Sequence, residues 1–321
     1  MRKVLLLHNP QSGRQRHSRR IATIESVRDV LRHGGVEVDI VTPDTPNAAA
    51  ATVRSAVSAE IDTVLACGGD GTVHQALQAL AGTDTALGVI PMGTANALAN
   101  DLGLGRDPLR AARLALDSRI RPVRLGKLTY LSSTNVNDSR FFILAAGVGL
   151  DAAMFYQLAA AAKQQLGVMG YYLEAFRQWG RQKYPFFEVE FQDLNGTRRK
   201  ERVTQVLAVR LNNFGGIIKR LAPGAGLDRS DMQLILFKTK SRFRYLRFIA
   251  SRLFGREWHD RYIELVHSTA LCCRKIEEAS SAASLRIYTE ADGELLGGLP
   301  VEIEIADESV QLLTPQAVRK N

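Results

Sequence analysis

The sequence, 321 residues long, has very little cysteine: Cys67, Cys272 and Cys273 are all there is. They form no CxxC pair and no framework of bridges, so a disulfide-stapled domain is excluded and a reducing, cytoplasmic setting is expected. Cys272 and Cys273 lie together in an apolar stretch and read as buried filler. Long hydrophobic runs are also missing. Val4 to Leu7 is too short for the apolar core of a signal peptide and runs straight into Asn9-Pro10. Nothing approaches the ~20 apolar residues of a spanning helix. There is no GxxxxGK[ST] loop and no complete GxGxxG after a strand; Gly147-Val148-Gly149 is half a fingerprint and stands too far along the chain. No RNP or KH signature, internal repeat or low-complexity segment is present, which argues against nucleic acid as a partner and against a repeat architecture.

What is present is an ordinary globular composition, 45% hydrophobic and 23% charged, with a net charge of +9. The basic excess implies a polyanionic partner without choosing among nucleotide, membrane surface and nucleic acid. The first ~120 residues alternate strand and helix, the pattern of a parallel sheet. Lys3 to His8 is an apolar strand. Ile21, Ile24, Val27, Val30 and Leu31 have helical spacing, and His33-Gly34-Gly35 stops that helix. Val36, Val38 and Ile40 alternate as a strand, and Asn47 is a candidate cap for the Ala-rich helix that follows. Thr63 to Cys67 and Ala86 to Ile90 read as buried strands, Val73 to Leu80 as a helix, and a further helix runs through Leu102.

From Val123 onward period-two strands dominate: Phe186 to Phe191, Val203 to Leu211, Met232 to Phe237, Tyr262 to Cys272, Leu285 to Thr289, Val301 to Ile305 and Val310 to Leu313. Many strands without alternating helices predict an antiparallel sandwich or barrel. Two helical insertions interrupt it, Leu158 to Trp179 and Arg242 to Phe254. The expected organisation is an α/β nucleotide-binding domain over residues 1–122, then a β-rich domain over 123–321, with room for the C-terminal residues to pack back on the first.

Three glycine-containing loops follow strands in the first half: Asn9-Pro10-Gln11-Ser12-Gly13, Gly68-Gly69-Asp70-Gly71-Thr72 and Gly93-Thr94-Ala95-Asn96. In a parallel sheet such loops gather at the carboxyl ends of the strands, where ligands bind. Glycine admits a phosphate close to the backbone, and a helix N-terminus favours the anion. Asp70 would repel phosphate unless a Mg²⁺ ion bridges the two. One loop alone reads better as turn punctuation or a cap; three in order point to nucleotide binding. Far downstream, Asp292-Gly293-Glu294 is a type I′ hairpin signal that could also aim two carboxylates into one place, one accepting a hydroxyl proton and the other holding metal.

In these residues the chain resembles the diacylglycerol-kinase catalytic family, bacterial lipid kinases and sphingosine-kinase relatives included. The matching motifs span nearly the whole length: Asn9-Pro10-x-Ser12-Gly13, Thr42, Gly68 to Thr72, Pro91-x-Gly93-Thr94-Ala95-Asn96, Gly147-Val148-Gly149-Leu150-Asp151 and Asp292-Gly293-Glu294. The resemblance implies an ATP-dependent kinase acting on a lipid hydroxyl, diacylglycerol-like or sphingoid, with ATP and Mg²⁺ on the first domain, lipid on the second and the active site between them. It implies nucleotide contacts from Asn9, Ser12, Thr42, Gly68, Gly69, Gly71, Thr72, Gly93, Thr94 and Asn96, support of Mg²⁺-ATP by Asp70, and base and metal roles for Asp292 and Glu294. Departures from the family pattern are Gln75 and Ala97 where relatives carry acids, Arg124 where an acid is common nearby, and Leu227-Asp228-Arg229-Ser230 in place of an Asp-Asp-Gly that helps hold a structural metal, of which Asp228 would be the remnant ligand. An NAD-kinase-like enzyme is the second reading, disfavoured by Gly93 to Ala97 where an Asn-Glu dipeptide would stand. A non-catalytic nucleotide- or lipid-binding regulator is the third.

A lipid substrate implies peripheral association with an anionic membrane surface; a homodimer is left open. Phe243, Leu246, Ile249 or Ala250, and Leu253 recur at helical spacing among Arg242, Arg244, Arg247, Arg252 and Arg256, a basic amphipathic pattern. The expectation is that this apolar face packs on the sandwich and the arginines face solvent. Lys219-Arg220 is a second basic patch.

Overall fold

The computed structural model describes residues 1–9, 17–132, 136–149, 185–215, 221–255, 260–276 and 287–316. The helix expected at Leu158 to Trp179, the Lys219-Arg220 patch, Arg256 and Ser12 lie outside them. The chain forms two compact units, one of Met1–Leu125 with Asp307–Asn321 and the other of Gly126–Ala306.

The first unit is a parallel α/β layer. Its strands are β1 (Lys3–His8), β2 (Glu37–Val41), β3 (Thr63–Gly68) and β4 (Ala86–Pro91), with helices α1 (His17–His33), α2 (Pro46–Ser58), α3 (Asp70–Leu80), α4 (Ala97–Asp101) and α5 (Pro108–Leu116). The order is β2-β1-β3-β4, all parallel, extended by the end of the last strand through Gln311↔Ala86 and Leu312↔Leu87. Residues 63–68 and 86–91 are buried throughout, as befits strands covered on both faces. Val27, Leu31, Val53, Leu77 and Leu80 cover them. Two sequence expectations shift. Thr45, not Asn47, caps α2: Pro46 takes the first helical position, where its missing N–H is harmless, and the Thr45 hydroxyl accepts from Ala48 N. And α3 starts at Asp70 itself, with Gly69 as its cap residue.

The second unit is antiparallel. Its strands are β5 (Arg119–Leu131, from Gly126 on), β6 (Asn137–Phe142), β7 (Ala145–Gly149), β8 (Phe187–Asp193), β9 (Arg198–Val203), β10 (Gln205–Val209), β11 (Met232–Phe237), β12 (Ile263–Lys275), β13 (Tyr288–Ala291) and β14 (Glu294–Thr314, up to Ala306). Pairing runs β13-β7-β10-β11-β12, and β14 pairs with both ends, β13 through Glu294 to Gly298 and β12 through Val301 to Glu304. The circuit closes into a barrel. Inside it lie Val206, Ala208, Leu234, Leu236, Val148 and Ile303. The alternate residues Leu207, Val209, Ile235 and Phe237 point outward, under α6 (Arg242–Leu253). Val301 to Ile305 and Val310 to Leu313, read as two strands, are one continuous strand that runs through Asp307 and Ser309.

Candidate active site

Parallel register decides where the first unit's loops emerge. Leu7 lies opposite Val41, His8 opposite Cys67, and Gly68 opposite Pro91. The residues that follow, Asn9, Thr42, Gly69 and Met92, therefore leave the sheet side by side at its carboxyl edge. Asn9 N continues the ladder to Cys67 O at 3.2 Å and Met92 N to Gly68 O at 2.9 Å. Thr42 is exposed, its hydroxyl 3.4 Å from His8 Nδ1.

The two glycine loops are built against each other. A Cβ on Gly93 would fall 2.4 Å from the Gly69 Cα, so a side chain there would displace backbone; a Cβ on Gly69 would make a tight 3.3 Å contact with the Gly93 Cα. Ala97 N donates to Asp70 Oδ1 at 2.7 Å. Asp70 thus caps the N-terminus of α4 from across the loops, while its own position in the first turn of α3 is one where a carboxylate is favourable. Asn96 sits at φ 51 with its side chain buried; Gly93 N donates to its Oδ1 and its Nδ2 donates to Gly93 O, both at 2.9 Å. Asn96 therefore shapes the loop with its own side chain. Asn100, which sequence reasoning passed over, donates from Nδ2 to Ala95 O and Asn96 O and holds the same loop. Gly71 differs from its neighbours: it is exposed and a Cβ there would meet nothing within 4 Å. Packing does not demand a glycine there; close approach of a ligand to the backbone would. Thr94 is exposed and Thr72 buried.

In the second unit, β13 and β14 are joined by Asp292-Gly293, with φ 49 and φ 86. Positive φ at both is the type I′ hairpin read from the sequence. The turn also has a long-range function. The Asp292 carboxylate is buried and accepts three backbone N–H groups: Ile143 on Oδ2 at 2.9 Å, and Leu144 and Ala145 on Oδ1 at 2.8 and 3.1 Å. Asp292 N donates to Ala145 O at 2.9 Å. The carboxylate is thereby held at the start of β7. Glu294, two residues on, is half-buried at the head of β14.

Asp228, read as the remnant of a metal site, is exposed, and among the described residues no group of three or more His, Cys, Asp or Glu gathers to hold a metal. The ordered acid in this turn is Asp231. Arg229 donates to it through Nε at 2.7 Å and Nη2 at 2.5 Å, and His267 through Nδ1 at 3.0 Å. The network continues outward as Gln233 Nε2 donates to His267 Nε2 and Gly224 N to Gln233 Oε1. Burial alone pushes the Asp231 carboxyl up, but the bonds from Arg229 and His267 outweigh it and hold it below the ordinary range. A guanidinium here does what a bound cation does for a carboxylate.

Residues 3–128 match the diacylglycerol kinase catalytic domain. Over nearly its whole length the chain is similar to diacylglycerol kinases. It is 26% identical to a diacylglycerol kinase of Bacillus subtilis, covering 98% of this chain and 97% of that one, and 29% identical to a diacylglycerol kinase of Mycobacterium tuberculosis, covering 98% and 96%. A crystal structure of a diacylglycerol kinase from Bacillus anthracis superposes with a TM-score of 0.69 at 21% identity, over 98% of both chains, a likeness of fold. The catalytic-domain match and these relatives make the chain a kinase that phosphorylates a hydroxyl group. Against that family, two departures have clear local consequences. Ala97 contributes only its N–H, which Asp70 accepts. Arg124 pairs with Asp307 at 2.9 Å on the surface of the first unit. Gln75 is half-buried on α3.

Proposed function

We propose that this chain transfers the γ-phosphoryl group of ATP to the hydroxyl of a membrane lipid of the diacylglycerol type. The observation that supports it most is the parallel register that brings Asn9, Thr42, Gly69 and Met92 to one sheet edge, with Asp70 joining the two glycine loops. Phosphoryl transfer asks for positioning and charge neutralisation more than for covalent chemistry. The amide groups at the start of α3 and the open backbone at Gly71 suit the polyphosphate, and the Thr94 hydroxyl suits a phosphate oxygen. Asn9 and Thr42 flank the same edge. Asp70 offers the hard oxygen that Mg²⁺ takes, and a bound Mg²⁺ would neutralise phosphate charge. On the second unit, the Asp292–Glu294 turn offers carboxylates for the proton of the acceptor hydroxyl: Asp292 fixed by amides, Glu294 the more accessible. Diacylglycerol is the lipid of the kinases this chain resembles, and a sphingoid base is the other acceptor.

The test is incubation with labelled ATP, Mg²⁺ and mixed micelles of diacylglycerol, monoacylglycerol, ceramide or sphingoid base, beside NAD. Label in diacylglycerol is the expected result. Label in NAD and in no lipid would refute the reading, and ATP binding without transfer to anything would leave a regulator.

A further inference from the structure

The helix α6 carries apolar residues on two faces, one packed and one in water. Tyr245 and Phe248 face the barrel; Tyr245 stacks on Phe237 with ring centroids 4.5 Å apart, and Phe248 meets the same ring edge-on at 5.3 Å. Those two aromatics satisfy the inner face. The residues whose spacing suggested burial face water instead: Phe243 is 71% exposed, Leu246 42% and Leu253 37%, and Phe254, which ends the helix, is 78% exposed. At 100° per residue, Leu253, Leu246, Ala250, Phe243 and Phe254 fall within an outer arc of about 100°. Arg242 and Arg247, both exposed, border that arc on its two sides. Just before the helix, exposed Lys240 lies over the ring of Phe186, itself 37% exposed, with Nζ 4.9 Å from the centroid. The helix contains no acidic residue. Its inward arginines have structural duties: Arg244 is bonded to Asp260, and Arg252 lies over the Phe248 ring.

We propose that α6, with Lys240 and Phe186, is a docking face for an anionic lipid bilayer, the apolar arc entering the headgroup boundary while Arg242, Arg247 and Lys240 meet the lipid charge. Two large apolar side chains, Phe243 and Phe254, left in water on the outer face of the helix and rimmed by cations, are the composition of an interfacial helix. A second copy of the chain fits worse. An isologous contact would set the same cationic rim against itself, and four partly exposed side chains offer on the order of a few hundred Å², short of the ~800 Å² per partner of a stable interface. The inference deepens the lipid-kinase reading and rests on it for why a bilayer should be the partner, but the measurement of docking does not depend on that activity.

The experiment is sedimentation of the full-length protein with phosphatidylcholine vesicles, with and without phosphatidylglycerol, at low and high salt. Wild type should bind the anionic vesicles and lose binding with salt. Phe243→Ser with Phe254→Ser should lower partition by roughly tenfold or more, and Arg242→Gln with Arg247→Gln by roughly fivefold per charge. All four side chains are exposed, so melting should be unchanged, and transfer to a short-chain diacylglycerol in micelles should match wild type. Wild-type partition in both double variants would overturn the proposal, as would failure of wild type to bind anionic vesicles. A loss of dimer in the phenylalanine variant, with vesicle binding intact, would assign the face to self-association and overturn it too. Vesicle binding that the variants abolish, in a protein that phosphorylates no lipid, would uphold the docking face and remove the kinase reading.

Discussion

Asp292→Asn separates a carboxylate that is only a candidate for chemistry from one that also holds the fold. Asn tolerates the positive φ of position 292 nearly as well as Asp does, so the backbone turn should survive. What changes is the set of three amides. If the Asn oxygen keeps Leu144 and Ala145, two hydrogen bonds persist without their charge assistance, and the new NH₂ faces the Ile143 N–H, donor against donor. Bonds to a charged group contribute about 1.5–3 kcal/mol against ~1 for neutral ones, and a buried donor left unsatisfied costs about 1–3. The sum, taken as non-additive, is about 3–4 kcal/mol for the second unit. For a unit of this size that is a drop of roughly 6–15 °C in its melting transition. Calorimetry should resolve that transition, since a two-unit chain need not melt in one step, and hydrogen exchange should show the amides of residues 143–145 losing protection. Asp292→Ala should fall further, because it removes all three bonds. Wild-type melting in Asp292→Asn with unchanged exchange at 143–145, or an Ala variant more stable than the Asn one, would refute the tether.

Asp70→Asn keeps an oxygen for Ala97 N–H, so its melting should stay near wild type while phosphoryl transfer falls by roughly a hundredfold or more; wild-type turnover would remove Asp70 from the metal role. Gly93→Ala drives a Cβ into the Gly69 backbone and should cost about 1–3 kcal/mol together with ATP affinity, read by melting with and without nucleotide; an unchanged affinity would deny that the two loops act together. Glu264 accepts from Arg199 at 2.7 and 2.9 Å and from Lys238 at 2.8 Å, and the Arg199 bonds, foremost, bring its carboxyl down to about 2. A depressed folded value means stability that is present above the unfolded carboxylate value and lost as pH falls, so Glu264→Gln should flatten acid destabilisation between about pH 5 and 2 by on the order of 1 kcal/mol after discounting solvent screening; an acid limb as steep as wild type would contradict this. Arg229→Met should lower the melting temperature of the second unit, whereas chelation of divalent ions in the wild type should not, and a chelator-sensitive melt without nucleotide would show that a metal holds that turn after all.

Strands covered on both faces were legible as unbroken apolar runs, Thr63 to Cys67 and Ala86 to Ile90 among them, and their order with intervening helices carried the parallel sheet. Where charge hides the pattern, reading fails. The strand β9 consists of Arg198-Arg199-Lys200-Glu201-Arg202-Val203, and its stability comes from partners remote in sequence, such as Glu264 for Arg199. The cap of α2 was misplaced although Thr45-Pro46 carried a signal for it, and Asp107-Pro108, the same signal, starts α5, a helix that periodicity had not drawn out. At the candidate site the glycine loops and the hairpin were readable because turn chemistry is local. The roles of Asn96 and Asp292 were not. One closes its own loop with its side chain, and the other reaches amides 147 to 149 positions away, a pairing with no local trace. The α6 face misled for another reason: two apolar stripes share one helix, and only the stacking on Phe237 decides which is inside.

The departures from the family pattern share a logic that bears on the metal. Where the second unit would present a pair of acids to a cation, it presents Arg229 to Asp231, a carboxylate that already has its positive partner. Where the first unit would add an acid after the Gly-Thr-x-Asn loop, Ala97 gives an N–H, and Asp70 accepts it. Among the described residues the glycine loops thus keep one carboxylate, Asp70. Mg²⁺ dehydrates reluctantly and is commonly held by one or two carboxylates together with substrate phosphates, so a single acid is enough if the nucleotide brings the remaining ligands. On the proposed reading the metal belongs to the nucleotide and not to the folded chain. Mg²⁺ should therefore act through the concentration of its ATP complex, and excess Mg²⁺ without ATP should leave the protein's stability unchanged.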